Sequence, residues 1–599
     1  MPLNVKLKII AFLREFFYRV IHRKKAAVAA LAFIVLLSFY SAVDNDFVLD
    51  DFDNIVDSPS IKAWSNLPLT FTSFIPNDSQ SWGYAPVKTL LFAINYYLWK
   101  DIPMGYIFTS LLIHLMTVLF VYKLTGFLTR NRLIAFFTAL TFGIHPVQAE
   151  SVTHISNGLE SVGVLFLLLS FYFYVSSSPG CLKFIVEENG NPHAGKLKKK
   201  EESRYFISFL LAGLSIFTFE LGLCLPLLFL LYELYREEKI DSKTFKRVLP
   251  FLLLIPVYLI IKISVLGSLS REGYRLDSPY LTTLVMIKAW AKYVFLLLFP
   301  FQLSFNQVIS PGIFSFNAED FDRYAVISQS LLDVQVLLSL VMLSGLLYMA
   351  VKFYKEKPIV SFGISWFFIS LFPVAPIFPT AAYFKERNLY LAIYGFCLVL
   401  GYLISLVFQK KIPMAKVKRE AIILGLTLTF IFYGIRTHTR NLDWFNQKTL
   451  LVSTVQVNSK SAFLHTKLGI TLIRFGEPLE ALEHFEKAAQ LKPDDPDIYF
   501  AMAEAYSADG SYEKEIESLK KAIEMKPDFA ESYYNLAGAY AYLGQGKQAQ
   551  ENLAKAVEIY RKQGRMLEAA DQVETFIGFF KARREIFKSL SEDLKQIEK

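Results

Sequence analysis

From residue 26 to about residue 436 the chain is a succession of apolar runs separated by short polar stretches. After about residue 455 the runs stop and a fixed 34-residue period replaces them. An apolar run of about 20 residues crosses a bilayer as a helix, so the first part predicts a bundle of membrane helices. The first run, residues 26–43 (AAVAALAFIVLLSFYSAV), follows a basic segment as a signal peptide does. It is long, however, and shows no clear small-x-small cleavage site, which marks a retained helix. Further helices are predicted over about 105–124, 132–145, 158–175, 205–218, 221–235 and 248–266, with more up to about residue 436.

The charges between the runs orient them. Residues 1–25 carry seven Lys or Arg against one Glu, and residues 409–419 carry five against none, the bias of cytoplasmic segments. Residues 44–104 hold eight Asp against three Lys and read as an external loop. The Pro/Gly/Lys-rich stretch ending in GKLKKKEESR reads as a disordered cytoplasmic linker. If residues 281–300 dip in and return, or lie at the interface, every basic loop falls inside. About eleven crossings then leave the N-terminus inside and everything after residue 436 outside.

Within the C-terminal part, Gly476, Gly510 and Gly544 are spaced by 34, as are Ala488, Ala522 and Ala556, and Leu468, Met502 and Leu536. A helix–turn–helix period of 34 with this small–large alternation marks tetratricopeptide repeats. Three units are predicted (about 462–495, 496–529 and 530–563), followed by an amphipathic helical cap over 564–599. The domain plan is a basic N-terminus (1–25), a membrane domain (26–454) with the external loop 44–104, the array (455–563) and the cap. The fold class is all-α. Tyr499, Glu504, Tyr533 and Asn535 are candidates for a concave groove holding an extended peptide.

Composition agrees: 53% hydrophobic residues, 55 Phe and 32 Tyr suit lipid-facing helices. The net charge of +9 follows the loops, which argues against a nucleic-acid partner. Cys181, Cys224 and Cys397 are too far apart in sequence for a metal cluster or disulfide framework and read as core filler.

The predicted external face collects Asp50, Asp51, Lys88, His145, Glu150, His154, Glu160, Glu220, Glu386 and Arg387 from six segments. Ionisable groups at membrane depth are costly and face cavities or partners. A carboxylate pair suits acid–base work, because neighbouring like charges push their pKa values apart. Arg387 and Lys88 suit an anionic group such as phosphate. Each also has a structural reading: helix capping for the aspartates, a helix end for His145, an interfacial histidine at 154 and a loop ion contact at Glu386–Arg387. On pattern alone, catalysis and a structural or transport role stay equally open.

DNDFVLDDFDNIVDS, YAPVKTLLFAIN, HPVQAESVTHISNGLES and ERNLYLAIYGFCLVLG, followed by the repeats, resemble the transmembrane-and-TPR O-mannosyltransferase family and its bacterial relatives. The resemblance implies the GT-C fold of polyprenyl-phosphate-sugar-dependent glycosyltransferases, with an acidic pair in the first external loop matching Asp50–Asp51. Three positions depart from the family pattern: Ala85-Pro86 stands for Arg-Pro, Gly158 for an arginine, and Phe219-Glu220 for Lys-Glu or Lys-Pro. Three basic positions facing the donor phosphate are thus missing, which brings Lys88 and Arg387 forward.

The resulting expectation is an inverting transferase moving a sugar from a lipid-linked donor to a protein Ser/Thr hydroxyl. Asp50 or Asp51 is the base, and Lys88, His145, Glu150, Glu160, Glu220, Glu386 and Arg387 hold the donor. The donor is a substrate; no cofactor is certain, and a divalent metal is neither required nor excluded. A short array without a retention tail points to a bacterial inner membrane with a periplasmic loop and array. The rivals are a membrane-anchored repeat scaffold and a transporter; the missing basic residues favour the first, and the absence of an inverted repeat weakens the second.

Overall fold

The computed structural model describes residues 19–72, 84–177, 198–237, 240–267, 277–305, 330–374, 384–413 and 415–579. Most of the basic N-terminus, the linker from 178 to 197 with Cys181, and the end of the cap from residue 580 lie outside the described residues. Every regular element among the described residues is helical. The chain divides into two compact units that change over at Leu450–Leu451.

In the first unit the longer helices are α1 (Lys24–Phe39), α2 (Pro86–Trp99), α3 (Pro103–Thr129), α4 (Arg132–Ile144), α5 (Glu160–Ser176), α6 (Lys198–Thr218), α7 (Leu225–Glu237), α8 (Ser242–Leu266), α9 (Pro279–Leu298), α10 (Val334–Glu356), α11 (Pro358–Leu371), α12 (Leu389–Phe408) and α13 (Lys416–Asp443). Proline opens α2, α3, α9 and α11, where its missing N–H costs nothing. Asn131 caps α4 by accepting from the Leu133 and Ile134 amides, and Asp241 caps α8 through the Thr244 amide. Between α11 and α12 the backbones meet at Gly363 and Gly395: a Cβ on Gly395 would sit 2.1 Å from the Gly363 carbonyl oxygen. Glycine at both positions is therefore a packing requirement.

Among the described residues eight helices are long and apolar enough to cross a membrane: α1, α3, α5, α8, α9, α10, α12 and α13. The two ends of the unit meet at one face, where the Asp46 amide donates to the Phe445 carbonyl (2.8 Å) and Asn45 Nδ2 to the Asn441 carbonyl (3.0 Å). At the opposite face arginines bind helix-end carbonyls: Arg247 on Tyr174 (3.1 Å) and Arg204 on Ser176 (2.9 Å). This matches the negative pole of each helix and the charge bias of the sequence.

Helix α9, the segment predicted over 281–300, has the length and composition of a crossing and is held at both ends. Tyr280 at its start accepts from the Leu331 amide ahead of α10 (3.1 Å), and Leu297 at its end accepts from His145 (3.1 Å). It is unbroken over 20 residues, so it does not dip and return. With the shorter apolar helices α4 and α11, and with α6 and α7 at the predicted spans 205–218 and 221–235, the count is about eleven to twelve.

The second unit stacks α14 (Gln447–Val457), which spans the changeover, with α15 (Ala462–Arg474), α16 (Pro478–Leu491), α17 (Pro496–Asp509), α18 (Tyr512–Met525), α19 (Ala530–Tyr542), α20 (Gly546–Lys562) and α21 (Met566–Phe579). Gly476, Gly510 and Gly544 have φ of +77°, +79° and +77° in the turns inside the three pairs, which explains their 34-residue spacing. Ala488, Ala522 and Ala556 are buried.

One packing position breaks the pattern. Ala481 and Ala549 are buried in α16 and α20, and the same place in α18 holds Glu515, also buried. Burial raises its carboxyl to about 7, against a hydrogen bond to Ser507 that lowers it. An unfolded chain loses this proton near 4.5, so the array loses stability as pH rises from about 4.5 to about 7 and is level above that. Glu515→Ala should therefore slow hydrogen exchange in α18 of the full chain at pH 7.5, after correction for intrinsic rates. The advantage should vanish at pH 4.

Candidate functional site

The acidic pair sits in a turn pinned at both ends. The Asp51 amide donates to the Val48 carbonyl and the Val48 amide returns to Asp51 Oδ2, both at 3.0 Å. Between them Leu49 has φ +51°, the left-handed region, at a cost of about 1 kcal/mol. A π-turn, Phe52–Val56, follows directly. Such strain persists where surrounding contacts over-determine the backbone, and here it makes neighbouring aspartates face different environments.

Asp51 is fully enclosed. Its Oδ1 accepts from the Ser156 amide (2.7 Å) and hydroxyl (2.5 Å), with His154 Nε2 at 3.4 Å. His154 stacks on Trp444, ring centroids 4.9 Å apart. Asp50 is half-buried, and its carboxylate makes no hydrogen bond or ion pair among the described residues. Its charge acts on Lys385.

A chain of polar contacts leaves Asp51 through His154. Asn157 Nδ2 lies 2.5 Å from His154 Nδ1; an amide NH2 there makes Nδ1 the acceptor and leaves the ring proton on Nε2, facing Asp51. Asn157 Oδ1 in turn accepts from Arg387 Nη1. Arg387 Nε lies 3.4 Å from Glu160 Oε2, while Lys88 Nζ is 2.9 Å from Glu160 Oε1. Glu150 Oε2 accepts from the Arg387 amide at 3.2 Å. Asp51, His154, Glu150, Glu160, Lys88 and Arg387 thus form one group, as their shared face suggests.

Three other candidates sit elsewhere. His145 has both ring nitrogens committed, Nε2 to the Leu297 carbonyl and Nδ1 to the Val147 amide (3.3 Å); it joins α4 to α9. Glu386 is fully buried, accepting from the Ser304 amide (2.6 Å) and facing Arg440 Nη2 at 3.6 Å. Glu220 pairs with Lys262 (2.7 Å) and Tyr258 (3.0 Å). In the repeats Tyr499 does not line a groove: it is buried against Ala522 and Phe529, with its hydroxyl on the Pro493 carbonyl (3.0 Å). Glu504, Tyr533 and Asn535 are half-buried. Burial raises the Glu504 carboxyl, and Arg474 opposes that rise.

Position 158, where the resemblance leads one to expect an arginine, is closed. A Cβ on Gly158 would lie 2.1 Å from Ser110 Oγ, and Arg387 reaches the neighbouring Asn157 and Glu160 instead. Ser156, Asn157 and Lys385 were not singled out in the sequence. Lys385 was the most legible of them, being the residue before Glu386-Arg387. Its backbone exchanges hydrogen bonds with the Tyr293 hydroxyl at 3.1 and 3.2 Å. Among the described residues no group of three or more His, Cys, Asp or Glu side chains is placed to hold a metal ion.

The C-terminal region matches the family models described as TPR repeat, over residues 476–510, and tetratricopeptide repeat, over 496–529 and 530–563. The membrane protein's homologues are named protein O-mannosyl-transferases. One is F38B6.6 of Caenorhabditis elegans, 25% identical across 76% of this chain and 61% of that protein. Others are Tmtc3 of Drosophila melanogaster, 23% identical across 77% and 54%, and human TMTC3, 21% identical across 79% and 52%. The chain thus spans about half to three-fifths of the length of these relatives. Among solved structures, the apo oligosaccharyltransferase of Archaeoglobus fulgidus aligns with a TM-score of 0.36 at 16% identity, over 70% of this chain and 56% of that one.

Proposed function

We propose that the chain is a membrane glycosyltransferase of GT-C type, moving a sugar from a polyprenyl-phosphate donor to Ser/Thr hydroxyls of a polypeptide. The observation that carries it is the division of labour in the acidic pair. Asp51 is saturated by four contacts and fixes the turn, while Asp50 keeps its carboxylate free beside a cationic group. A free carboxylate at a half-open position is what a general base needs. The names of the homologues supply the sugar class, mannose, and the class of acceptor.

In this reading the acceptor hydroxyl gives its proton to Asp50 as its oxygen bonds to the anomeric carbon. The bond from that carbon to the phosphate oxygen breaks on the opposite side, and its electron pair leaves with the phosphate. One displacement inverts the configuration. Negative charge grows on the departing phosphate, and the cations gathered around Glu160 offset it. The repeats recruit the acceptor polypeptide and raise its local concentration. The reading places the first loop and the array on the periplasmic or lumenal side and the N-terminus in the cytoplasm. A reporter fused after residue 563 should read external.

The test is transfer itself. The purified full chain, given polyprenyl-phosphate mannose and a Ser/Thr-rich peptide, should add hexose to the peptide. The Asp50→Asn, Asp51→Asn double variant should not. Undiminished transfer by the double variant overturns the catalytic reading.

A further inference from the structure

The cations in the site are not equivalent. Lys88 and Arg387 share the two oxygens of Glu160, and Arg387 also holds Asn157 and, through its amide, Glu150. Each is thus tied to Glu160 inside the protein. Lys385 differs: its backbone is fixed by Tyr293, yet its ammonium group has no hydrogen bond or ion pair among the described residues. It is two residues before Arg387, which holds Glu150, Asn157 and Glu160. The charges of Arg387, Glu150, Glu160 and Asp50 act on it, and it lies just ahead of the apolar helix that begins at Glu386.

An ammonium group carries three N–H donors and no acceptor. Lys385 is half-buried, so its three donors stay open to oxygens that a ligand brings into the site. Position 158, beside Asn157, supplies no cation, because a side chain there would displace Ser110. We propose that Lys385 is the direct phosphate ligand of the lipid-linked donor, a catalytic residue whose ammonium binds the oxygen that departs from the anomeric carbon, with Lys88 and Arg387 holding the frame around it. This rests on the glycosyltransferase reading.

Position supports the role. The charge of Asp50 acts on Lys385, so the cation proposed for the leaving group is also coupled to the base, the other place where charge changes during transfer. Titration agrees with the placement. Arg387 and then burial hold the Lys385 amine down to about 8, against Glu150, Glu160 and Asp50, which raise it. The charged, phosphate-binding form therefore prevails below about pH 8 and is lost above it. Tyr293, whose hydroxyl holds the Lys385 backbone from α9, and Lys292, whose ammonium lies 5.5 Å from the Phe384 ring centroid, are further titratable groups beside it.

The experiment compares two probes on the full chain in lipid nanodiscs, a long-chain polyprenyl phosphate and the uncharged polyprenol of the same length. Lys385→Met should weaken polyprenyl phosphate binding about tenfold or more, the scale of a lost charge-assisted contact, and leave polyprenol binding unchanged. Lys385→Arg should restore the phosphate affinity and keep it above pH 9, where the wild type has lost it. Three results overturn the proposal: unchanged phosphate affinity in Lys385→Met, a parallel loss of both probes, or no phosphate-dependent binding by the wild type. If binding depends on Lys385 as expected but no sugar is transferred from the mannosyl donor, the anion site stands and the glycosyltransferase reading fails.

Discussion

Asp50→Asn should lower the rate of sugar transfer by about a hundred- to ten-thousandfold, the contribution of a positioned general base, with no change in thermal stability. The carboxamide is nearly isosteric, and the Asp50 side chain makes no hydrogen bond or ion pair among the described residues, so the fold loses nothing. KM for the donor should change little, since the lost interaction belongs to the acceptor's proton in the transition state. Asp51→Asn should behave in the opposite way. It places an NH2 or a neutral oxygen where Oδ1 now accepts from the Ser156 amide and hydroxyl and Oδ2 from the Val48 amide. Buried donors then go unmet at about 1–3 kcal/mol each, and the left-handed turn at Leu49 loses its clamp. Melting of the purified protein should fall and activity should fall with it. Equal stability losses in the two variants, or an active Asp50→Asn enzyme, would reverse the assignment.

The reasons why the two aspartates differ were absent from the sequence. DD is the same residue twice; what separates them is Ser156 and His154, more than a hundred positions away, and one residue in a left-handed conformation. Periodicity carried more elsewhere. The glycines at 476, 510 and 544 were legible because a left-handed turn admits few other residues. The membrane helices were legible because lipid demands unbroken apolar runs. Hydropathy did not decide whether residues 281–300 dip and return or form one helix, since both bury apolar residues; the unbroken α9 does. Tyr499 shows the same limit in the repeats: a position within the period does not say whether a side chain turns to the groove or to the next helix. The cations were partly legible. Arg387 and Lys88 were found as charges near a membrane face, but only the contacts show that Glu160 occupies both and leaves Lys385 free.

The largest stability effect should come from a residue that takes no part in the chemistry. Arg440, near the end of α13, is fully buried. Its Nη1 holds Asp443 at 3.0 Å, its Nη2 faces Glu386 at 3.6 Å, and its guanidinium lies 5.5 Å from the Trp444 ring centroid. Arg440→Met leaves Glu386 buried with Lys292 as its cationic neighbour. Removing one member of such a pair costs about 3–5 kcal/mol, because the remaining charge is no longer compensated. The Arg440→Met, Glu386→Gln double variant removes both charges and should recover a substantial part of the loss, which a double-mutant cycle measures as a positive coupling. Function should follow, since Glu386 is the residue between Lys385 and Arg387 and its contact with the Ser304 amide fixes both in place. The single variant should therefore lose polyprenyl phosphate affinity even below its melting temperature, while the double variant regains stability first and affinity only in part. A single variant that melts with the wild type would show that Arg440 does not anchor the site, and the ion pair would then be a consequence of the helix packing and not its cause.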